Sequence, residues 1–98
     1  MINKAKVSIV IPIFNEEESI PQLVQEVLMT MRNTQDSFEI VLVNDGSKDR
    51  SAEVLENLSK HIPELTCILL RKNYGQTAAM AAGFDISTGE IIVSLDGD

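Results

Sequence analysis

Several large classes of protein are excluded by what this sequence lacks. It has one cysteine, Cys67, so no disulfide can close within the chain and a reducing compartment is its simpler home. Cys67 lies in an apolar run and reads as a small buried side chain. Cations are scarce: eight Lys and Arg stand against fifteen Asp and Glu, a formal net charge of −7. A grip on the phosphate backbone of DNA or RNA needs clustered cations that displace counterions, so nucleic acid is not an expected partner. The same acidity suits a site that holds a divalent cation. No apolar run is long enough to span a bilayer. The apolar stretch after Lys6 is broken at Ser8 and Pro12, too soon for a signal peptide's apolar region and cleavage site. No internal repeat, low-complexity tract or interdomain linker is visible.

What is present fits one small folded domain. Of the 98 residues, 44% are apolar and 23% charged, the balance of a soluble globular chain. A chain of this length buries only about 60 to 65% of the surface its unfolded form exposes, so its stability margin is thin. Four apolar runs, Val7 to Phe14, Phe38 to Val43, Thr66 to Leu70 and Glu90 to Leu95, are β-branched or Leu-rich and nearly continuous. Strands covered on both faces read this way.

Three helical segments separate these runs. Ser19 and Gln22 have capping-box spacing, and Pro21 is tolerated in a first helical turn. Leu23, Val24, Val27, Leu28 and Met31 then fall on one face. A second helix starts near Asp49 as N-cap, carries Leu55, Leu58 and Ile62, and stops at Pro63. A third runs from about Gln76 to Ile86 through small residues that let its axis approach a sheet, and the Ser87-Thr88-Gly89 turn ends it. Strand and helix in strict alternation with short connections predict right-handed crossovers and parallel pairing. The expected architecture is α/β and Rossmann-like: an open, mostly parallel sheet of four strands with helices on both faces.

Ligands bind such sheets outside the carboxyl ends of the strands. The polar clusters fall there: Asn15-Glu16-Glu17, Asn44-Asp45-Gly46-Ser47, Arg71 to Gln76, and Asp96-Gly97-Asp98. The first loop has neither the glycine-rich turn of a dinucleotide site nor the Gly and Lys-Ser/Thr pattern of a P-loop. It offers Glu16, Glu17 and Glu18 instead, which would repel a bare diphosphate. A bound nucleotide therefore needs its diphosphate neutralised elsewhere. Asp96 and Asp98, separated by one glycine after a strand, can share a hard cation such as magnesium, which takes one or two carboxylates and fills its other positions with water and phosphate oxygens.

The remaining candidates each have an ordinary structural reading beside the functional one. Asp45 can accept a hydrogen bond from a nucleobase, and Asp-Gly-Ser is also common turn chemistry. Asn15, Glu16 and Glu17 can touch a nucleoside; for Glu17 and Glu18 the positive end of the first helix is the preferred explanation. Arg71, Lys72 and His61 read as surface residues, and Tyr74 as a half-buried loop aromatic. Met29, Met31 and Met80 read as core filler.

Three segments in order and spacing carry a resemblance. Val7-Ser8-Ile9-Val10-Ile11-Pro12-Ile13-Phe14-Asn15-Glu16-Glu17, Val43-Asn44-Asp45-Gly46-Ser47-Lys48-Asp49 and Ser94-Leu95-Asp96-Gly97-Asp98 resemble the family 2 glycosyltransferases of the GT-A fold over essentially the whole chain. Leu70 to Gln76 and Gly83-Phe84 are similar to the subgroup that transfers sugars to polyprenyl phosphates, which includes dolichyl-phosphate mannosyltransferases and undecaprenyl-phosphate glycosyltransferases.

The resemblance implies that residues 1–98 are the nucleotide-sugar-binding N-terminal part of such a domain, truncated after the Asp-X-Asp motif. Pro12, Asn15 and Glu16 would line the nucleoside pocket, Asp45 would contact the base, and Asp96 and Asp98 would bind Mg or Mn with the diphosphate. Asp96 counts among the nucleotide-sugar contacts as well. Asn44 departs from the family pattern, where a second Asp is common, and this bears on the base. The implied reaction is inverting transfer from a UDP- or GDP-linked sugar to a lipid phosphate, at the cytoplasmic side of a membrane in the parent protein. A saccharide acceptor, in polysaccharide or O-antigen synthesis, is the alternative. Acceptor-side catalytic residues are expected beyond Asp98, and the fragment itself is expected to be soluble, inactive and open to homo-oligomer formation along an unpaired strand edge. A receiver-like, non-enzymatic α/β module is the rival, with Glu16, Glu17 and Asp45 mimicking its acidic cluster.

Overall fold

The computed structural model describes residues 5–95. Along them run β1 (Val7–Ile13), α1 (Ile20–Arg32), β2 (Phe38–Asn44), α2 (Ser51–His61), β3 (Leu65–Leu69), α3 (Gln76–Ile86) and β4 (Ile91–Ser94). The strands form one sheet in the order β3-β2-β1-β4, and each pairing is parallel. This order matches half of a dinucleotide-binding sheet. A receiver places its third strand beside its first; here β3 lies outside β2 and β4 takes that place. Strand order alone thus excludes the receiver reading.

The period-two alternation of strands divides the core into two layers. Val7, Ile9, Ile11 and Ile13 of β1, with Ile40 and Leu42 of β2, pack with Ile20, Val24 and Leu28 of α1 and Leu55 of α2. Val10, Val41 and Val43 pack with Ala79 of α3 in the second layer. The small residues of α3 bring it close to the sheet as expected. A Cβ at Gly83 would collide with Val10 Cγ1 and lie 3.1 Å from Val43 Cγ2, so only glycine leaves room for this approach. At the far end of α2, Ile62 is extended (φ −124°, ψ 102°), the conformation favoured before a proline such as Pro63.

Pro12 sits in a central strand without breaking the ladder. Alternation turns its missing N–H toward β4, and the described β1–β4 pairing ends at Val10↔Ser94. At the opposite end of the sheet, Ser8 Oγ donates to Glu39 Oε2 at 2.6 Å, and the Thr88 amide donates to the same oxygen at 2.6 Å. The Gly89 amide donates to Ser8 Oγ at 2.8 Å. These bonds fasten the α3–β4 turn to the sheet.

Four expectations are corrected. All of β1 is buried, but only Leu65 of β3 is, and every residue of β4 is exposed. The apolar runs of β3 and β4 look like doubly covered strands, yet each stands at a margin of the described sheet with a neighbouring strand on one side only. Cys67 is exposed at that margin rather than buried. Its sulfur leans on α2, 3.9 Å from the Leu55 carbonyl oxygen, and partial burial there pushes the thiol up. Met29 is 61% exposed on the solvent side of α1, whereas Met31 and Met80 do pack against the two core layers. Finally, the capping box does not form. Ser19 is helical (φ −92°, ψ −16°), makes no side-chain cap, and donates its hydroxyl to the Glu16 carbonyl at 3.3 Å.

Candidate functional site

Parallel pairing brings the loops after β1, β2 and β3 to one edge of the sheet. The first loop lies on the second. Successive amides of Asn15, Glu16 and Glu17 donate to Ser47 Oγ (2.9 Å), Ser51 Oγ (3.0 Å) and Asp49 Oδ2 (3.1 Å). In return the Lys48 amide donates to Asn15 Oδ1 at 2.8 Å. Asn15 reaches this position with φ +52°, left-handed backbone that asparagine tolerates better than most residues. Its side chain therefore braces the two loops, and Ser47, Asp49 and Ser51 are site-building residues that sequence reasoning missed. Their signal was the density of short oxygen-bearing side chains in residues 44–51, each able to accept an amide.

Asp49 is not the N-cap expected of it: α2 begins at Ser51 with Arg50 at the cap position, and Asp49 stands one residue ahead. Its Oδ1 accepts from the Ser51 amide at 2.9 Å while Oδ2 holds the Glu17 amide. Burial alone would raise this carboxyl. Hydrogen bonds from the Ser51 hydroxyl and from the amides of Ser51, Glu17 and Asp49 itself outweigh that and bring it below the ordinary aspartate value. A carboxylate with a depressed folded-state pKa contributes stability above its unfolded pKa and loses it as pH falls through the folded value. Asp49→Asn is accordingly expected to be less stable than the parent at pH 7, with the difference shrinking as pH falls past the ordinary aspartate value and through the lowered folded one. Denaturant midpoints of both proteins across that range check this, and a difference that persisted unchanged at low pH would refute it.

Asp45 occupies the centre of the edge. It is 3% exposed, with its amide donating to the Ile13 carbonyl at 2.8 Å. Its carboxylate is engaged by the third loop: Oδ1 accepts from the Tyr74 amide at 2.8 Å, and Oδ2 from the Gly75 amide and Asn73 Nδ2, both at 2.9 Å. Asn73 Nδ2 also reaches the Asp45 carbonyl at 3.2 Å. The loops touch because Gly46, at φ +68°, has no side chain; a Cβ there would strike the Lys72 carbonyl carbon and the Asn73 nitrogen. Asp45 is thus an anchor for the loop as well as a candidate base contact.

Asn44 faces the other way. Strand alternation turns it with Ile40 and Leu42 toward α2, where its Oδ1 accepts the Ser47 amide at 3.0 Å. The departure at Asn44 therefore lies on the sheet face away from Asp45, whereas Pro12 shares the face of Asp45. Glu17 and Glu18 lie just ahead of α1 rather than in its first turn, which contains no acid. Asn15, Glu16, Glu17, Glu18, Ser19 and Asp49 line an open depression of about 400 Å³, too acidic to hold an unneutralised diphosphate. Arg71 and Lys72 are exposed, as expected, but so is Tyr74, at 53%, with Lys72 Nζ 5.3 Å from its ring centroid. Asp96 and Asp98 lie outside the described residues; the Leu95 amide donates to the Val10 carbonyl at 2.9 Å, carrying the chain to the same edge. Among the described residues no three His, Cys, Asp or Glu side chains gather to hold a metal, and no helix is long and apolar enough to cross a membrane.

Comparison with known proteins agrees with this geometry. The family described as Glycosyl transferase family 2 matches residues 8–98. The undecaprenyl-phosphate 4-deoxy-4-formamido-L-arabinose transferase of Pectobacterium carotovorum subsp. carotovorum (strain PC1) is 46% identical over 100 residues, covering 100% of this chain and 31% of that protein. The protein of the same name from Proteus mirabilis (strain HI4320) is 42% identical over 94 residues, 95% of this chain and 29% of its own. The chain thus spans less than a third of the length of these curated relatives. Among solved structures, the mannosyltransferase PcManGT from Pyrobaculum calidifontis, in complex with GDP-Man and Mn2+, superposes with a TM-score of 0.74 at 23% identity, covering 96% of this chain and 28% of that one. S. aureus TarS 1-349 gives 0.72 at 23% identity, covering 93% and 27%. At that identity they establish the fold, the Rossmann-like half of a GT-A domain.

Proposed function

The chain belongs to glycosyl transferase family 2, and from that premise we propose that it is the donor-binding part of a metal-dependent inverting glycosyltransferase. In this reading the protein passes a sugar from a UDP- or GDP-linked donor to a polyprenyl phosphate at the cytoplasmic face of a membrane. The observation that carries it is the convergence of three interlocked loops at the carboxyl edge of a parallel sheet, with β4 and Leu95 running to the same edge. The polyprenyl phosphate acceptor is drawn from the printed names of the curated relatives.

Each residue has a stated task. Pro12, Asn15 and Glu16 flank the nucleoside, and Asp45 accepts from the base. Asp96 and Asp98 hold Mg or Mn, whose chemistry when bound is to neutralise the diphosphate and the charge that develops on it as it leaves. The donor set fits that ion: carboxylate oxygens are what a hard cation takes. The acidic first loop explains why a cation is needed, since Glu16, Glu17 and Glu18 give phosphate nothing to bind. A phosphate acceptor is already ionised near neutral pH, so no strong general base is required to make it a nucleophile.

Isothermal titration of the folded protein with UDP and with GDP, each with Mn or Mg and again after chelation, tests the proposal. At least one nucleotide is expected to bind, and to lose at least tenfold in affinity on chelation, a loss of about 1.4 kcal/mol. A protein shown to be folded that bound neither, or bound equally well without metal, would sink it.

A further inference from the structure

We infer that Asn73 is a specificity-determining positioning residue, which fixes how many hydrogen-bond donors a base can present to Asp45. This rests on the reading above that Asp45 contacts the base. A carboxylate has about four acceptor positions, two on each oxygen. Asp45 Oδ2 has both filled, by Asn73 Nδ2 and the Gly75 amide, and Oδ1 has one filled, by the Tyr74 amide. One position remains, on Oδ1.

The arrangement is held from two sides. Asn73 Nδ2 bridges the carboxylate and carbonyl of the same residue, at 2.9 and 3.2 Å, which sets the Asp45 side-chain rotation. Gly46 admits the Lys72–Asn73 backbone so closely that a methyl group there would collide with it. The Asn73 backbone is thereby held beside Asp45, which keeps the carboxamide within reach of the carboxylate.

A count of one acceptor has a chemical meaning. Guanine presents two adjacent donors, N1–H and the 2-amino group, and a carboxylate reads that edge with both oxygens. Uracil presents a single N3–H between two carbonyl oxygens. As Asn73 holds it, Asp45 matches a single-donor edge, and the second donor of guanine would be left without a partner against a carboxylate that is itself 3% exposed, which is how polar sites reject near-isosteric ligands.

Titrations of the protein with Mn and UDP, N3-methyl-UDP, GDP or inosine diphosphate read this out without any variant. UDP should bind at least about tenfold more tightly than GDP, and N3-methylation should cost about tenfold, the worth of one well-placed hydrogen bond to a charged acceptor. Inosine diphosphate, which lacks the 2-amino group, should bind at least as well as GDP. Asn73→Ala should then narrow the UDP to GDP ratio by about tenfold, because it frees a position on Oδ2. A ratio is the chosen quantity because a merely loosened fold weakens both nucleotides alike.

Inosine diphosphate binding tenfold weaker than GDP would show a two-donor site and overturn the inference, as would a preference for GDP or a ratio that Asn73→Ala leaves unmoved. These results leave the donor-binding reading standing. Failure of all four nucleotides to bind the folded protein overturns both.

Discussion

Asp45→Ala is expected to lower the stability of the protein by about 3 kcal/mol, whether or not any ligand is present. The figure follows from the carboxylate's partners. Its removal leaves the Asn73 carboxamide and the Tyr74 and Gly75 amides without an acceptor at 2.8 to 2.9 Å. Bonds to a charged acceptor are worth about 1.5 to 3 kcal/mol each, but Asn73 and Tyr74 are exposed, so water repays much of their loss. The Gly75 amide and the small void at a position 3% exposed are repaid less. A domain of this size has roughly 5 to 15 kcal/mol in total, so the loss is a large share. With a urea dependence of about 1 kcal/mol per molar, the unfolding midpoint should fall by about 3 M. Asp45→Asn separates charge from shape: it keeps the volume and one acceptor oxygen, and should fall between the two. A change below about 0.5 kcal/mol in the alanine variant, the usual range for a surface position, would mean that the third loop is not anchored here.

This anchor marks the boundary between what the sequence disclosed and what it did not. The central strands were legible because burial on both faces leaves an unbroken apolar run, as in Ile9 to Ile13 and Ile40 to Val43. The third helix was legible for a related reason: Ala79, Ala82 and Gly83 pack closely on the sheet, while the exposed Ala78 and Ala81 add helix propensity. Edge strands were not, since Cys67 and Ile91 to Val93 are as apolar as core strands while their exposure depends on which elements lie beside them. The Ser19 capping box had the right spacing, but the hydroxyl took the nearer Glu16 carbonyl. The loop contacts were the least legible of all. Asp45 and Asn73 are 28 residues apart and Asn15 and Lys48 are 33, so no local pattern links them. Only the β3-β2-β1-β4 order makes those loops neighbours, and the sequence pattern predicts parallel strands without predicting their order.

Asp96→Asn and Asp98→Asn should have the opposite signature, a loss seen only when ligand is present. If these carboxylates hold the cation, the folded protein gains stability from metal and nucleotide by linkage, about 2.7 kcal/mol at a hundredfold excess over the dissociation constant. For a domain near this size that corresponds to a rise in melting temperature on the order of 10 °C. Either amide variant removes one charged ligand oxygen and leaves a neutral group that binds hard cations poorly, so the rise should disappear and affinity should fall on the order of 100-fold. Without metal the expectation reverses. Two like charges one residue apart repel each other, so relieving one should leave stability equal or slightly higher, by no more than about 0.5 kcal/mol. Melting each variant beside the parent, with Mn and UDP together, with each alone, and after chelation, separates the cases. A variant that lost stability equally under all four conditions would be playing the structural part argued for Asp45. A variant that kept the full ligand-induced rise would show that the cation is held without that carboxylate, and the acidic first loop would then need another explanation for how a diphosphate comes to rest beside it.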